Sequence, residues 1–312
     1  MEDLADPDEL KWTELRILGQ GAFGKVAECI THNGKLIAIK HLALPNTSPA
    51  YGAAKDEIEE LVGEIQLLKA LRHRHIVEYY GCRSKSEVDG TRAVDIFMEH
   101  CHGGSLNTLR RRFDRKSGRL SVVLVRCYIR QVLRGLCYLH RKGVVHRDIK
   151  GDNVLISGTG DAKLADFGCS KKLGTSVQGF ASDAGPTGVG CNTLVGTPLF
   201  MAPEVMKEEK RGYNNSADIW SVGCLTIELF GQKPWRVHGT TLFAVMYAIA
   251  SAKGLPTGMP DQCDGNFRLF LESCFQREPR RRPTAHQLLQ TPWMTCPDHA
   301  LVEPVWNADD PM

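Results

Sequence analysis

The sequence contains a dense group of polar residues, His146-Arg-Asp-Ile-Lys-Gly-Asp-Asn153, followed by the tripeptide Asp166-Phe-Gly168. The first motif holds a histidine, an asparagine and four charged residues within eight positions, directly after a segment with a helical pattern. A solvated loop can have such a composition, but rarely with the second motif at this distance. The two motifs together therefore indicate a chemical site.

The residue types in these motifs suit the transfer of a phosphoryl group. Asp148 can accept a proton from an attacking hydroxyl group, and Lys150 can stabilise the phosphoryl group that moves. Asn153 and Asp166 offer hard oxygen ligands, which Mg²⁺ prefers. The sequence thus predicts a catalytic base, a cation and a metal site within a short stretch.

Composition excludes several other classes of protein. The 312 residues suffice for one large domain or two lobes, and the 42% apolar and 24% charged fractions exclude disordered and fibrous proteins. The net charge of +3 gives no reason to expect nucleic-acid binding. The longest weakly polar stretches, residues 219–230 and 241–252, are too short to span a bilayer, so we expect no membrane insertion.

The cysteines and the N-terminal residues bear on the compartment. The eleven cysteines, an odd number, include no Cys-x-x-Cys pair, which argues against a zinc site and a disulfide framework. Residues 1–10 are acidic and lack an apolar core, so we expect no secretory signal. A reducing, cytoplasmic location is the expectation.

Hydropathy patterns predict a β-rich first part and a helical second part. In the first part they predict three strands, an Asn33-Gly34 hairpin turn, a loop over residues 44–54 and one helix. The strands are Thr13–Leu18, Lys25–Ile30 and Leu36–Lys40, and the helix carries apolar residues at Ile58, Leu61, Val62, Ile65, Leu68 and Leu71.

The second part follows the glycine pair at 103–104, which we interpret as a connector. It holds a long amphipathic helix, Ser121–Lys142, with Ser121 and Gly143 as its predicted caps. Residues 218–230 are apolar almost all round and predict a buried helix, while residues 174–192 predict a long loop.

The glycine-rich motif Gly19-Gln-Gly-Ala-Phe-Gly24-Lys-Val26 is weak evidence by itself. A dinucleotide-binding turn would need a helix to begin at the third glycine. Here the strand pattern continues through Ile30, which favours a hairpin that covers phosphate groups.

Two further patterns suggest ion pairs between distant residues. Lys40 ends the apolar strand Ile37-Ala-Ile-Lys40, and Glu64 falls within the apolar arc of the following helix. A carboxylate on a buried face is costly without a cation, so Lys40 is its expected partner. Glu204 and Arg282 form a second expected pair, whereas Arg280 and Arg281 are expected to be solvated.

With these motifs in this order, residues 12–294 resemble the eukaryotic protein kinase family. The resemblance implies an α+β, bilobal protein kinase fold, with ATP and Mg²⁺ bound. It implies an N-lobe over about 12–98, a hinge over about 99–103 and a C-lobe over about 104–294, between an acidic tail (1–11) and a C-terminal tail (295–312).

The resemblance also assigns roles to individual residues. It makes Asp148 the catalytic base assisted by Lys150, Lys40 and Glu64 the activating ion pair, and Asn153 and Asp166 the magnesium ligands. Asp218 matches the aspartate that braces the catalytic loop, and Met98 matches the gatekeeper. The residues expected around ATP are Leu18, Gly19, Gln20, Gly21, Ala22, Phe23, Gly24, Lys25, Val26, Ala38, Lys40, Met98, Glu99 and Cys101.

Within the family, the chain resembles serine/threonine kinases of the MAP kinase kinase kinase group. The segments that carry this likeness are 64–73, 103–106, 146–151 and 218–224, whereas Leu199-Phe200 departs from the group. The implied partners are a MAP kinase kinase as substrate and an upstream activator or scaffold. The alternatives are a kinase acting one tier higher, on MAP kinase kinase kinases, and a pseudokinase scaffold. Pseudokinases usually lack at least one of the residues equivalent to Lys40, Asp148 and Asp166, and this sequence has all three.

The resemblance also suggests a regulatory phosphate on Thr193. Arg147 and Lys171 occupy positions that would meet this phosphate, and the added charge could order the loop. Thr187 or Ser182 could carry the phosphate instead. Thr197 is expected to contact Asp148 and Lys150.

Overall fold

The structure is a computed structural model that describes residues 9–21, 24–44, 63, 65–86, 92–113, 119–167, 171–172, 197–206, 214–237 and 241–305. The described residues form two compact units, which divide between His102 and Gly103. Of the loop predicted over 44–54, Leu44 belongs instead to a strand, and the remaining residues, like those of the loop predicted over 174–192, lie outside the described residues.

The N-terminal unit contains a five-stranded antiparallel sheet in the order β1-β2-β3-β5-β4. Its helix α1 is described over residues 65–70. The strands are β1 (Trp12–Gly21), β2 (Gly24–Thr31), β3 (Leu36–Leu44), β4 (Tyr79–Ser86) and β5 (Arg92–Glu99).

The first two hairpins follow from local sequence. β2 and β3 pair around the predicted Asn33-Gly34 turn, in which Gly34 has a φ of 82°, a conformation that glycine adopts readily. β1 and β2 pair antiparallel, with Gly21 opposite Gly24 and Gly19 opposite Val26. The glycine-rich motif therefore forms a hairpin, as predicted, and not a strand-to-helix turn.

The two faces of this sheet differ in their residues. Because opposed residues of an antiparallel pair share a face and side chains alternate along a strand, the register sorts the side chains into two sets. One face carries a core cluster of Ala27, Cys29, Ile37, Ile39 and Phe97, which Leu10 and Trp12 cover. The other carries Val26, Ala38, Lys40, Ile96 and Met98.

The C-terminal unit is mainly helical. Its helices are α2 (Leu106–Phe113), α3 (Val122–Arg141), α4 (Pro203–Met206), α5 (Ser216–Leu229), α6 (Leu242–Ser251), α7 (Gly265–Cys274), α8 (Ala285–Leu289) and α9 (Pro292–Thr295). Its strands are β6 (Gly104–Ser105), β7 (Val144–Val145), β8 (Val154–Ile156), β9 (Ala162–Leu164) and β10 (Lys171–Lys172). The predicted α+β class, with a β-rich first part and a helical second part, is confirmed.

Helix α5 lies at the centre of this unit. All of its residues except Glu228 are buried, which confirms the prediction made from its apolar character. Trp220 of α5 stacks on Trp235 at 6.0 Å between ring centroids and meets Phe275 edge-on at 5.1 Å. The helix therefore provides a rigid support for the segments packed on it.

The ends of α3 differ in part from the prediction. Gly143 follows the helix with a φ of 72°, as expected for a terminating glycine. Ser121 occupies the N-cap position, but its side chain makes no capping hydrogen bond. Instead, the Val122 N–H donates to Glu303 Oε1 at 2.8 Å, so a carboxylate from the C-terminal segment caps the helix.

Residues 296–305, named here the C-terminal strap, are anchored at several points. Arg126 of α3 is only 2% exposed and donates to the carbonyl and thiol of Cys296 and to Asp298. Val305 bridges to Gln262. Within the described ranges, no helix is both long enough and apolar enough to cross a bilayer.

Candidate active site

The catalytic-loop motif brings three of its predicted residues into direct contact. Asp148 Oδ2 accepts hydrogen bonds from Lys150 Nζ at 2.8 Å and from Asn153 Nδ2 at 2.6 Å. Asp148 Oδ1 is buried and has no hydrogen-bond partner among the described residues. One carboxylate oxygen is thus held in place, and the other remains as an acceptor.

His146 is fully buried behind this carboxylate. Its Nε2–H donates to Ala165 O at 3.1 Å, and its Nδ1 accepts from the Asp148 N–H at 3.4 Å. Burial lowers the pKa of His146, outweighing the nearby carboxylates that act in the other direction. This imidazole is therefore neutral, and it ties the catalytic loop to the residue before Asp166.

Asp218, near the start of α5, anchors the beginning of the loop, as predicted. Its carboxylate accepts the N–H groups of His146 at 3.0 Å and Arg147 at 2.8 Å. His140 Nε2–H also donates to it at 2.8 Å. Burial alone would raise the pKa of Asp218, but the His140 hydrogen bond and the nearby charges hold it below its ordinary value.

The two predicted metal ligands lie on adjacent segments. The Ala165 N–H donates to Asn153 O at 2.9 Å, which places Asp166 beside the end of the catalytic loop. Because Asn153 Nδ2 donates to Asp148 O at 2.9 Å, its remaining side-chain acceptor is Oδ1. Asp166 is an exposed residue, and its backbone φ is 60°. Both side chains carry oxygen donors of the kind that suits Mg²⁺, and a joint metal site stays a prediction.

In the N-terminal unit, the register places Lys40 on the same sheet face as Val26 and Ala38. Val26 is directly opposite Lys40, and Met98 is directly opposite Ala38. This face therefore combines an ammonium group with the small and apolar side chains that the resemblance places around adenine.

The other predicted ATP-site residues fall in the first hairpin, at the end of β5 and just after it. The Glu99 N–H donates to Glu78 O at 2.9 Å, so a base contact through Glu99 would use its carbonyl, while Cys101 is buried. Described residues of the hairpin are Leu18, Gly19, Gln20, Gly21, Gly24 and Lys25. Ala22, Phe23 and Glu64 lie outside the described residues, so the Lys40–Glu64 pair stays a prediction.

The second predicted ion pair is formed. Arg282 Nη1 and Nη2 donate to Glu204 Oε1 and Oε2 at 2.6 and 2.7 Å. Arg282 also donates to Ser216 O at 2.9 Å, which links the pair to the start of α5. Arg280 and Arg281 are exposed, as expected.

The regulatory residues are described only in part. Arg147 is half-buried with a backbone φ of 72°. The backbone of Lys171 pairs with Val145, two residues before Arg147. Thr193 and the side chains of Lys171 and Thr197 lie outside the described residues, so their predicted contacts stay predictions.

Sequence reasoning missed three polar clusters. His41 Nδ1 lies 2.6 Å from Asp95 Oδ1, next to Lys40. Arg16 donates to Glu28, which lies 3.5 Å from the buried His100 after β5. The third cluster, around Glu228, had a signal in the sequence, because a lone carboxylate in an apolar helix needs donors.

Comparison with known proteins agrees with this geometry. The family described as "Protein kinase domain" matches residues 12–294, and this chain therefore belongs to the protein kinase family. The predicted protein kinase fold is confirmed by this match together with the β-sheet and helical units described above.

Several curated relatives are similar over nearly the whole chain. Mitogen-activated protein kinase kinase kinase 19 of Homo sapiens is 39% identical over 289 residues, 92% of this chain and 20% of the relative. Mitogen-activated protein kinase kinase kinase A of Dictyostelium discoideum is 37% identical over 297 residues, 94% of this chain and 29% of the relative. Mitogen-activated protein kinase kinase kinase 2 of Arabidopsis thaliana is 36% identical over 288 residues, 92% of this chain and 41% of the relative.

The predicted resemblance to MAP kinase kinase kinases is thus confirmed as a resemblance. The chain spans less than half the length of these curated relatives, between 20% and 41%. The match concerns their kinase portion, since the family match covers most of this chain.

Proposed function

We propose that this chain is a serine/threonine protein kinase that acts as a MAP kinase kinase kinase, transferring the γ-phosphoryl group of ATP to a hydroxyl group of a MAP kinase kinase. The names and the 36–39% identity of the relatives support this assignment. The observation that carries it is the state of Asp148, whose Oδ2 is held by Lys150 and Asn153 while Oδ1 has no partner in the described part of the chain.

In the proposed mechanism, Asp148 Oδ1 accepts the proton of the substrate hydroxyl group. The two hydrogen bonds to Oδ2 prevent the carboxylate from rotating, so the substrate meets a fixed acceptor. Lys150 Nζ is 2.8 Å from Oδ2 and carries the positive charge that stabilises the moving phosphoryl group. The neutral His146 serves to position the loop and not to transfer protons.

Further roles are proposed for the residues of the ATP and metal sites. Lys40 would hold the phosphates, with Glu64 as its partner, and the sheet face around Val26, Ala38 and Met98 would contact adenine. The hairpin residues 18–25 would cover the phosphates, and the backbone of Glu99 and Cys101 would bind the base.

Asn153 and Asp166 would hold Mg²⁺. The ion, when bound, would neutralise charge on the phosphate oxygens. Asn153 fits this role because its amide nitrogen is already committed to Asp148, which orients Oδ1 as the ligand atom. Asp166 fits because it is an exposed residue that carries a carboxylate.

Regulation by phosphorylation of Thr193 is also proposed, with Arg147 and Lys171 as phosphate partners and Thr197 near Asp148 and Lys150. The pairing of Lys171 with Val145 supports it, since it brings the backbone of Lys171 close to that of Arg147. Activity after autophosphorylation should be lost in Thr193→Ala and kept in Thr187→Ala and Ser182→Ala. The reverse result would place the switch elsewhere.

The proposal extends to setting and partners. No disulfide joins any of the nine described cysteines, which supports a reducing, cytoplasmic location. An upstream activator or scaffold is the proposed partner besides the substrate. Lys40, Asp148 and Asp166 are all present, which disfavours the pseudokinase alternative, and the names of the relatives disfavour the kinase acting one tier higher.

The proposed function can be tested with purified protein, Mg²⁺-ATP and a panel of catalytically inactive MAP kinase kinases. Wild type should phosphorylate serine or threonine residues of at least one member, mapped by mass spectrometry. Asp148→Asn should reduce transfer by about 100-fold or more, because the acceptor for the hydroxyl proton is lost, with ATP affinity within a few-fold. Transfer by the variant at near wild-type rate would refute the role of Asp148.

A further inference from the structure

The side of the catalytic loop away from Asp218 is held by a second carboxylate. Glu228, near the end of α5, accepts the Gly151 N–H at 2.8 Å through Oε2 and Asn107 Nδ2 at 3.0 Å through Oε1. Asn107, which α2 contributes, is 4% exposed and also donates to Asp152 Oδ2 at 3.0 Å. The α2 helix, the loop and α5 are therefore joined at a single point.

Gly151 allows this contact because it lacks a side chain. A Cβ at this position would lie 2.8 Å from Glu228 Oε2 and 3.0 Å from Asn107 Cγ. The backbone of Gly151 is not in the left-handed region, so glycine is needed here for space and not for its conformation. A larger residue would displace either the loop or the side-chain ends of Glu228 and Asn107, and each of these movements disturbs the contact.

The position of Glu228 along α5 gives the contact its significance. Asp218 and Glu228 lie ten residues apart (228 − 218), which corresponds to about 15 Å along a helix. Asp218 receives N–H groups at the start of the loop, and Glu228 receives one just after Lys150. The segment between these anchors contains Asp148 and Lys150.

The environment of Glu228 supports a specific role for the carboxylate. Although Glu228 keeps some exposure, loss of hydration around its carboxylate raises its pKa, against the opposing effects of the Gly151 and Asn107 hydrogen bonds. Every other residue of α5 is buried, and Glu228 is the residue of this helix that accepts the Gly151 N–H. A carboxylate in such a helix is costly, and its donors on the catalytic loop account for its presence.

We propose that Glu228 and Gly151 are positioning residues for catalysis, which fix the Lys150 end of the catalytic loop as Asp218 fixes the His146 end. This inference rests on the proposed kinase function. If the loop were held at one end only, the side chains of Lys150 and Asp148 would shift relative to the substrate. A displacement of about 1 Å at reacting groups can lower the rate by about 100-fold. The contact should therefore affect kcat more than the KM for ATP.

The test combines Gly151→Ala with Glu228→Asp. Gly151→Ala places a methyl group against Glu228 and should lower kcat by about tenfold or more, with the KM for ATP within about threefold. Glu228→Asp keeps the charge but shortens the side chain, which weakens the Gly151 contact and makes room for a methyl group. The double variant should therefore be no slower than Gly151→Ala alone. Gly265→Ala is the matched control, since a Cβ at Gly265 meets nothing within 4 Å.

A second readout does not depend on activity. Hydrogen exchange at the Gly151 amide should be slow in wild type and clearly faster in Glu228→Asp, while the Gly265→Ala control leaves it unchanged. If wild type transfers no phosphoryl group, the proposed function fails. The exchange data still decide whether the hydrogen bond from the Gly151 N–H to Glu228 holds the loop. Three outcomes would each overturn the inference. The losses in kcat could multiply in the double variant, Gly151→Ala could keep a rate within twofold of wild type, or exchange at the Gly151 amide could be unchanged in Glu228→Asp. If Gly151→Ala does not fold, the rate and exchange of Glu228→Asp alone decide it.

Discussion

Two residues of the candidate site adopt a backbone conformation that side chains disfavour. Arg147 and Asp166 have φ values of 72° and 60°, and they are the only non-glycine residues with positive φ in the described part of the chain. Such a conformation costs roughly 1–2 kcal/mol per residue. At Arg147 the cost is offset by the Asp218 carboxylate, which accepts its N–H at 2.8 Å. The strain lies next to the proposed base and within the proposed metal site.

Replacing Asp218 by asparagine should test this compensation. The amide keeps the shape but turns one acceptor into a donor, facing the N–H of His146 or Arg147 or the ring of His140. We expect the free energy of unfolding to fall by about 2–4 kcal/mol, because buried donors lose their partner. Denaturant titration measures this loss. Asp264→Asn is the control, since Asp264 caps α7 and asparagine caps equally well. Equal losses in both variants would contradict the assignment.

At the residue scale, the sequence is informative where partners are close along the chain. Asp148, Lys150 and Asn153 fall within one motif, so their contact could be predicted from spacing and chemistry. The Glu228–Gly151 bond joins residues 77 positions apart, and nothing in either local pattern specifies the other. His100 likewise meets Glu28 only because β2 and the segment after β5 are brought together by the sheet.

Among the elements, α3 illustrates how distant chain segments replace local signals. Its apolar spacing and Gly143 predict the helix and its end, because both depend on neighbouring residues. Its N-terminus depends on Glu303, which lies 181 positions away from Val122. The order of the sheet could not be predicted for the same reason: β3 pairs with β5, and β4 lies at the edge.

Substitution of the two candidate capping residues of α3, Ser121 and Glu303, shows which one caps the helix. Glu303→Ala should lower the free energy of unfolding by about 1 kcal/mol, because the Val122 N–H loses its acceptor and the helix end loses a negative charge. Ser121→Ala should leave it nearly unchanged, since the serine side chain makes no capping bond. Thermal or denaturant unfolding of both variants measures the difference. A larger loss in Ser121→Ala would restore serine as the cap.

At the scale of the whole molecule, the C-terminal strap extends the structure beyond the family match, which ends at residue 294. Arg126 and Val122 of α3 reach residues of the strap, so the family boundary is not a structural boundary. Each compact unit also contains a buried histidine, His100 in the N-terminal unit and His146 in the C-terminal unit. Burial lowers the pKa of both, despite the carboxylates nearby.

These two histidines should make the whole molecule sensitive to acid. An unfolded histidine takes up a proton near pH 6.5, whereas His100 and His146 in the folded chain do so only at lower pH. In that window the unfolded state binds more protons, so the free energy of unfolding falls as the pH falls below about 6.5. The contribution of the two histidines to the free energy of unfolding is fully present above about pH 6.5. It is lost as the pH falls through their lowered pKa values in the folded state.

His100→Gln isolates the contribution of the N-terminal unit. Glutamine stays neutral at every pH, so the variant should lose less of its free energy of unfolding than wild type does between pH 7.5 and pH 5. His286→Gln is the matched control, because it makes the same substitution at an exposed histidine on α8. Denaturant titrations at the two pH values give the slopes. A slope in His100→Gln equal to that of wild type would mean that the His100 ring, 3.5 Å from Glu28, is protonated as readily in the folded chain as in the unfolded one.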